Sequence, residues 1–299
     1  MDTTMYETSS QGQADYEWMI RETPPREWAD AKGMWLSIAF FVSEIGAGLF
    51  FLSLFINYRP GFILGYLLSL VIGGLTHIIY LGNPQRFWRV LMKPKTSELS
   101  RGVWVILLYS LIGGIMILPA VFPDLPWTGY HLSLKLIMGV VCVLMITHGA
   151  ATMSVIRAIP SWNSTMLLPW SVISGIWVGS QVLVVMPGSG AHELVRMETL
   201  SLILLSIYAV TIVLYLWGTS HASGTAKLSI KELVAGMYAK SFYLGVVGAG
   251  IAIPMILILA TSGSQPLFWL IALRLVFVVI GDMTLRSLQM KSAYYNPLI

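Results

Sequence analysis

Eight stretches of about 20 predominantly apolar residues divide this chain of 299 residues, and they constrain its fold more than any other feature. A helix needs roughly 20 apolar residues to cross about 30 Å of hydrocarbon, because each residue adds about 1.5 Å. We therefore predict an all-α, polytopic integral membrane protein with eight transmembrane helices. The predicted spans are residues 34–56, 61–81, 102–122, 133–154, 166–186, 198–217, 241–262 and 266–289.

The composition excludes several other classes of protein. The chain is 56% hydrophobic and 11% charged, with a mean hydropathy of +0.75, and a soluble globule of this size cannot bury so much apolar surface. Its single cysteine, Cys142, provides neither a disulfide nor the four thiolates of an iron–sulfur cluster within this chain. The formal charge of +4 does not imply nucleic acid, because the basic residues lie in the predicted connections.

We divide the chain into three parts: a polar N-terminal arm (1–33), an eight-helix membrane domain (34–290) and a C-terminal tail (291–299). The arm has seven acidic residues and lacks the basic start and apolar core of a cleavable signal peptide. We expect the arm to be retained and to contact the membrane interface or a partner protein.

The basic residues are distributed unevenly between the two ends of the predicted helices. Fourteen of the 18 lie on the side shared by both termini and the second, fourth and sixth connections, so the positive-inside rule places the termini in the cytoplasm. The second connection is the most basic, and together with the start of the third helix it carries Arg86, Arg89, Lys93, Lys95 and Arg101. We predict that Arg86, Arg89, Lys93 and Arg101 help to dock a partner protein.

Ionisable residues inside predicted spans are expensive and indicate function unless a partner explains them. Glu44, His77 and His148 lie at similar depths near the basic connection, and Tyr80 is close to them. Each histidine taken alone fits a structural role as well as a functional one. Together, however, these groups suit a quinone head group, which needs hydrogen-bond donors and groups that carry protons. We predict Glu44, His77 and His148 to be catalytic. Asp282 and Arg286 are four residues apart on the last helix and predict a structural ion pair.

Several motifs resemble those of a known family. The second connection reads Leu81-Gly82-Asn83-Pro84-Gln85-Arg86-Phe87-Trp88, and Ser100-Arg101-Gly102-Val103-Trp104 opens the third helix. Further along are Thr147-His148-Gly149 and Ile159-Pro160-Ser161-Trp162-Asn163-Ser164. These stretches, with their order and the helix count, resemble the NrfD/polysulfide reductase membrane-anchor family, including the anchor of dimethyl sulfoxide reductase.

The resemblance implies an eight-helix anchor that has no redox metal of its own. Its first four helices would bind a quinone, either menaquinone or ubiquinone. The resemblance also implies an iron–sulfur partner subunit that connects the quinone to a molybdenum or tungsten catalytic subunit. Tyr80, Thr147 and Trp104 are expected to join the three catalytic residues in binding the quinone. Two positions depart from the family: Tyr80 stands where a histidine precedes the Leu-Gly-x-Pro motif, and Gly102 stands where a carboxylate follows the serine.

The resulting functional prediction is a quinone-reducing or quinol-oxidising membrane subunit of an oxidoreductase in a prokaryotic cell membrane. Two alternatives stay open. A b-type cytochrome needs a histidine pair for each haem, and only His77 and His148 lie within predicted spans. A secondary transporter predicts inverted repeats around a site at the membrane midplane, whereas the polar cluster here lies off the midplane.

Overall fold

The computed structural model describes residues 28–122, 124, 131–188, 198–261 and 268–296. This part of the chain is helical and contains no strand, as the predicted all-α class requires. The helices are α1 (Met34–Ile56), α2 (Arg59–Tyr80), α3 (Glu98–Val121), α4 (Leu132–Ser154), α5 (Leu167–Val185), α6 (Glu198–Ala222), α7 (Gly224–Val234), α8 (Ala239–Thr261) and α9 (Phe268–Lys291). All except α7 are long and apolar enough to cross a membrane, which confirms the eight predicted spans.

The observed helices begin earlier than predicted where a capping residue or a proline starts them. α3 begins at Glu98, four residues before the predicted start, because the Ser97 side chain accepts a hydrogen bond from the Ser100 N–H at 3.3 Å. Glu98 itself lies in the first turn, where a negative charge is favourable. α2 begins at Arg59, and Pro60 occupies its first turn, where the missing N–H costs nothing.

α1 is the most buried span and forms the centre of the domain. It packs against α2, α4, α5 and α9. Small residues allow this close packing: a Cβ at Gly48 would overlap the backbone of Gly175 in α5, and one at Gly46 would lie 2.6 Å from the Gly65 carbonyl oxygen in α2. α1 therefore connects the first four spans to the second four.

Two spans contain π-helical segments. Leu67–Ile72 interrupts α2, and the Ser69 hydroxyl in this segment donates to the Ser43 carbonyl oxygen of α1 at 3.0 Å. Phe242–Ala252 occupies most of the first half of α8 and ends just before Pro254. Pro254 has no N–H, so the carbonyl group that would accept from it in a helix lacks that donor. The π-helical segment before Pro254 pairs residues five apart and so changes which carbonyl group is affected.

The end of the domain where the described part of the chain begins, at Trp28, and ends, at Asn296, is held together by the connection between α4 and α5, residues 155–166. We call this end the terminal face. Trp162 is 1% exposed, donates its indole N–H to the Gln289 carbonyl oxygen at 3.2 Å, and packs edge-on against Trp28. Asn296 N–H donates to the Ala158 carbonyl oxygen at 2.8 Å. The motif around Trp162 thus has a structural role.

The arm and the tail both contribute residues to this packing. Asp30 forms an ion pair with Lys291 at 2.7 Å, and Ala29 and Ala293 are buried. The described ends of the arm and of the tail therefore belong to the folded membrane domain. Residues 1–27 of the predicted arm and 297–299 of the predicted tail lie outside the described residues.

Candidate functional site

Two histidines from different spans lie side by side near the terminal face. His77 comes one turn before the end of α2, and His148 comes shortly before the end of α4. Their ring centroids are 6.0 Å apart, and the Phe40 ring of α1 contacts both edge-on, at 5.5 Å from His77 and 5.9 Å from His148. Gly149 makes room for this arrangement, since a Cβ there would lie 2.7 Å from the Phe40 ring.

Each imidazole uses one ring nitrogen to bond the backbone of its own helix. His77 Nδ1 lies 2.7 Å from the Gly73 carbonyl oxygen, and His148 Nδ1 lies 2.5 Å from the Met145 carbonyl oxygen. A carbonyl oxygen only accepts hydrogen bonds, so both Nδ1 atoms carry the proton. The Nε2 atoms are then left for chemistry. That of His148 is buried and has no hydrogen-bond partner among the described residues.

Glu44, grouped with the histidines on sequence grounds, has its charged partner elsewhere. Glu44 is 1% exposed and lies one turn beyond Phe40 on α1. Its Oε2 is 2.6 Å from Arg286 Nη2 of α9, although within the described structure this oxygen has no hydrogen bond of good geometry. The contact is therefore chiefly electrostatic, and Glu44 belongs to an ion cluster that the sequence did not reveal.

The predicted ion pair between Asp282 and Arg286 is present and forms the centre of that cluster. Arg286 Nε donates to Asp282 Oδ2 at 2.8 Å. Two further hydroxyls, those of Ser174 in α5 and Tyr208 in α6, each donate to Asp282 Oδ1 at 2.8 Å. Arg286 Nη2 also donates to the Ser174 hydroxyl at 2.7 Å. Four spans, α1, α5, α6 and α9, thus meet at one buried charged group.

The charges in the ion cluster do not balance if every group is ionised. Glu44 and Asp282 would contribute two negative charges against the single positive charge of Arg286. The aromatic rings of Phe41 and Trp170 lie 5.8 Å and 5.4 Å from the guanidinium and favour its positive charge, but they add none. One proton on a carboxylate would make the cluster neutral.

A small cavity adjoins the ion cluster. It has a volume of about 20 Å³ and is lined by residues of α1, α4, α5 and α9, among them Ser37, Phe40, Glu44, Arg286 and Gln289. A space of this size holds about one water molecule. Phe40 lines the cavity and also contacts both histidine rings, so it lies between the histidine pair and the ion cluster.

The other predicted quinone-binding residues differ in how much of their polar chemistry is already used. Tyr80 is half-buried in the last turn of α2. The Thr147 hydroxyl donates to the Val143 carbonyl oxygen of its own helix at 2.9 Å. Trp104 is 50% exposed and donates its indole N–H to the Leu91 carbonyl oxygen at 3.2 Å. Thr147 and Trp104 therefore have no free donor in this arrangement.

The connection between α2 and α3, residues 81–97, forms an exposed basic surface on the terminal face. Its 3-10 helix, Pro84–Met92, has no buried residue. Arg86, Arg89 and Lys93 are exposed, and the Arg89 guanidinium lies 5.7 Å from the Trp88 ring. Arg101 instead holds the connection in place, because it donates to the Pro94 and Lys95 carbonyl oxygens, each at 2.9 Å.

The described residues contain no group of three His, Cys, Asp or Glu side chains that could hold a metal ion. Sequence reasoning missed Phe40, Ser174 and Tyr208, whose roles depend on contacts between spans. A phenylalanine, a serine or a tyrosine in an apolar helix carries no pattern that separates it from its neighbours. The residues that sequence reasoning did single out are mostly ionisable side chains inside apolar spans, such as Glu44, His77 and His148.

The fold and the site define an eight-span membrane protein that carries a histidine pair and a buried ion cluster near one face. The chain belongs to the family described as polysulphide reductase, NrfD, whose profile matches residues 32–296. Members of this family are generally membrane anchors of molybdoenzyme complexes, and this chain is an NrfD-family membrane subunit. No curated protein matches the chain significantly.

Proposed function

We propose that this chain is the quinone-reactive membrane subunit of a multi-subunit oxidoreductase. It would exchange electrons between an iron–sulfur cluster on a partner subunit and menaquinone or ubiquinone in the membrane. The observation that carries the proposal is the pair of histidines, His77 and His148, with the unpartnered Nε2 of His148 directed away from its backbone bond. The NrfD family is associated with quinone-interacting redox complexes, which supports this assignment.

The chemistry of a quinol fits the two imidazoles. Oxidation of a quinol to a quinone releases two electrons and two protons. A neutral imidazole Nε2 accepts a hydrogen bond, and then the proton, from a quinol hydroxyl, and a protonated Nε2 donates to a quinone carbonyl oxygen. Two adjacent histidines therefore suit both directions of the reaction. Glu44 would take up or release the protons through the ion cluster and the adjoining cavity.

Tyr80, Thr147 and Trp104 have lesser roles in this proposal. The half-buried Tyr80 lies three residues after His77 and can offer its hydroxyl to the head group. Thr147 and Trp104 already use their donors on backbone carbonyl groups, so they would contribute apolar and ring contacts. A Cβ at Gly74, one turn before His77, would meet no atom within 4 Å, which supports an approach of the head group along this side of α2.

The partner subunits are assigned by chemistry and by location. An electron must cross a short gap between the cluster and the quinone, so the iron–sulfur subunit would sit on the terminal face above the histidine pair. The exposed bases Arg86, Arg89 and Lys93 would steer an acidic surface of that subunit into register. Arg101 would act indirectly by holding the connection in shape. A molybdenum or tungsten catalytic subunit would bind the iron–sulfur subunit, as in other NrfD-family complexes.

The uneven charge distribution supports a cytoplasmic terminal face in a prokaryotic cell membrane. A connection with this density of basic residues resists transfer across a membrane that carries a potential. The partner subunits would then lie in the cytoplasm and protons would exchange with that side.

Purification of the tagged chain from its native membrane in mild detergent tests this function. The proposal expects co-purification of a subunit with iron–sulfur absorption and of a subunit containing molybdenum or tungsten, together with extractable quinone. A protein recovered alone, with a haem spectrum and no quinone, would instead support a b-type cytochrome.

A further inference from the structure

A long groove runs along the outside of the membrane domain between α1 and α4, in the half that lies away from the histidine pair. It has a volume of about 610 Å³. Its walls are apolar side chains, including Phe51, Leu54 and Phe55 of α1 and Leu136 and Val140 of α4. Several of them are largely exposed, such as Phe55 at 71% and Leu136 at 62%. Among the described residues, none covers this groove on its outer side.

One end of the groove is positively charged. Lys135 is the only charged residue among those that line it in the described structure. It lies in the first turn of α4, whose start has no side-chain cap. A lysine at the start of a helix opposes the helix dipole, since both are positive there. Lys135 and the first N–H groups of α4, which have no side-chain cap among the described residues, together make this end of the groove positive.

The length of the groove matches one leaflet of a bilayer. Along α4 it extends from Leu132 to Leu144, which corresponds to roughly 18 Å at about 1.5 Å per residue. The hydrocarbon core is about 30 Å thick, so each leaflet contributes about 15 Å. A single acyl chain with its phosphate near Lys135 would therefore fill the groove from end to end.

Gly139 keeps the middle of the groove wide without being required by the packing. A Cβ at this position would lie 3.7 Å from the Phe51 ring and 4.0 Å from a Leu54 methyl group, which are ordinary contacts. Replacement of Gly139 by a larger residue would thus fill the groove from within and leave the contact between α1 and α4 in place.

We propose that this groove is a binding site for an anionic phospholipid, with one acyl chain between α1 and α4 and its phosphate on Lys135. The isoprenoid tail of a quinone would fit the apolar walls but would bring no counter-charge to Lys135, the one charged residue among the described residues that line the groove. The groove lies mainly in the other half of the span and has no lining residue in common with the proposed quinone site, which it approaches only at Val143 and Leu144, one turn before Thr147 and His148.

Native mass spectrometry of the delipidated chain or its complex tests the proposal. The protein is titrated with phosphatidylglycerol or with phosphatidylcholine of the same acyl chains. We expect one phosphatidylglycerol to bind in preference, by roughly fivefold, the effect of about one basic residue at a membrane surface. Lys135→Gln should remove the preference, and Gly139→Leu should remove the tight site for both lipids.

Two controls make the result specific. Lys240→Gln removes an exposed lysine at the start of α8, outside the groove, and should keep the preference. Gly139→Ala should keep the site, since it adds little volume. Equal binding of the two lipids by the parent protein would overturn the proposal. Loss of co-purified quinone in Gly139→Leu, with phosphatidylglycerol binding unchanged, would instead assign the groove to the isoprenoid tail.

Discussion

The carboxylate of Glu44 and the guanidinium of Arg286 lie 2.6 Å apart and join the first span of the chain to the last. Arg286 is 7% exposed, and its other partners, Asp282 and Ser174, are also buried. Buried charges of this kind contribute little net stability when all partners are present, but the removal of one leaves the others uncompensated. This contact therefore makes the two halves of the domain depend on each other.

Replacement of Arg286 by methionine is expected to destabilise the protein strongly. It would leave Glu44 and Asp282 in a buried site without a positive charge, at a cost of about 3–5 kcal/mol. The measurement is the thermal unfolding midpoint of the detergent-solubilised chain. The triple variant Glu44→Gln, Asp282→Asn and Arg286→Met should recover part of the loss, because no charge remains. An unchanged midpoint for Arg286→Met would contradict the role assigned to the cluster.

The close contact between α1 and α5 gives a second stability prediction. Gly48→Val would force a side chain into the backbone of Gly175, and overpacking of this kind costs about 1–3 kcal/mol or more. Gly218→Ala in α6 is the matched control, since its Cβ would meet no atom within 4 Å and alanine favours the helix. The unfolding midpoint should fall for the first variant and stay or rise for the second. Equal midpoints would show that α1 does not pack as described.

The sequence predicted the fold well because membrane burial is a property of long segments. Spans of about 20 apolar residues are recognised by composition alone, and the structure contains all eight. The helix starts at Arg59 and Glu98 were missed because charged residues lower the hydropathy of the first turn, although capping and dipole effects favour them there.

The arrangement of the candidate site was predictable only in part, because contacts between spans leave no local pattern. His77 and His148 were recognised by their shared depth, and the structure places their rings 6.0 Å apart. Glu44 shares that depth, yet the helix geometry turns it toward Arg286. The depth of a side chain in the membrane is set by its position along the helix. The direction in which it points depends on the rotation of the helix about its own axis, which a uniformly apolar segment does not reveal.

Charge reversal on the exposed connection should weaken assembly with the partner. Arg86→Glu combined with Arg89→Glu reverses two exposed charges that would face an acidic surface, and the affinity should fall by roughly thirtyfold, from about 1 kcal/mol at each position. Lys227→Glu with Lys231→Glu on α7 is the control, because these residues are also exposed bases. Partner recovery at increasing salt concentration is the measurement. Equal recovery for the two double variants would count against this docking surface.

The orientation of the terminal face is tested by cysteine labelling in intact cells. The background thiol, the buried Cys142, is first replaced by alanine. Lys95→Cys on the terminal face should be protected from an impermeant thiol reagent, and Arg59→Cys, at the start of α2 on the opposite side, should be labelled. The reverse labelling pattern would place the terminal face and its partners outside the cytoplasm.

We propose that quinone is reduced or oxidised at the histidine pair and that Glu44 transfers the protons of this reaction. The variants His148→Gln, His77→Ala and Glu44→Gln test this proposal, since neither glutamine nor alanine can carry the proton. Glutamine also keeps the approximate size of the histidine or glutamate side chain. His131→Gln is the matched control, because His131 is exposed and lies just before α4, at the opposite end from His148.

The decisive measurement is the steady-state oxidation of a soluble quinol by the purified complex, with subunit composition checked for every variant. A general acid–base group contributes about 10²–10⁴-fold, so His148→Gln should lower the rate by at least about a hundredfold while the complex stays intact. His77→Ala and Glu44→Gln should each lower it as well, and His131→Gln should leave it unchanged. Parental rates in intact complexes carrying His148→Gln, His77→Ala and Glu44→Gln would contradict the account.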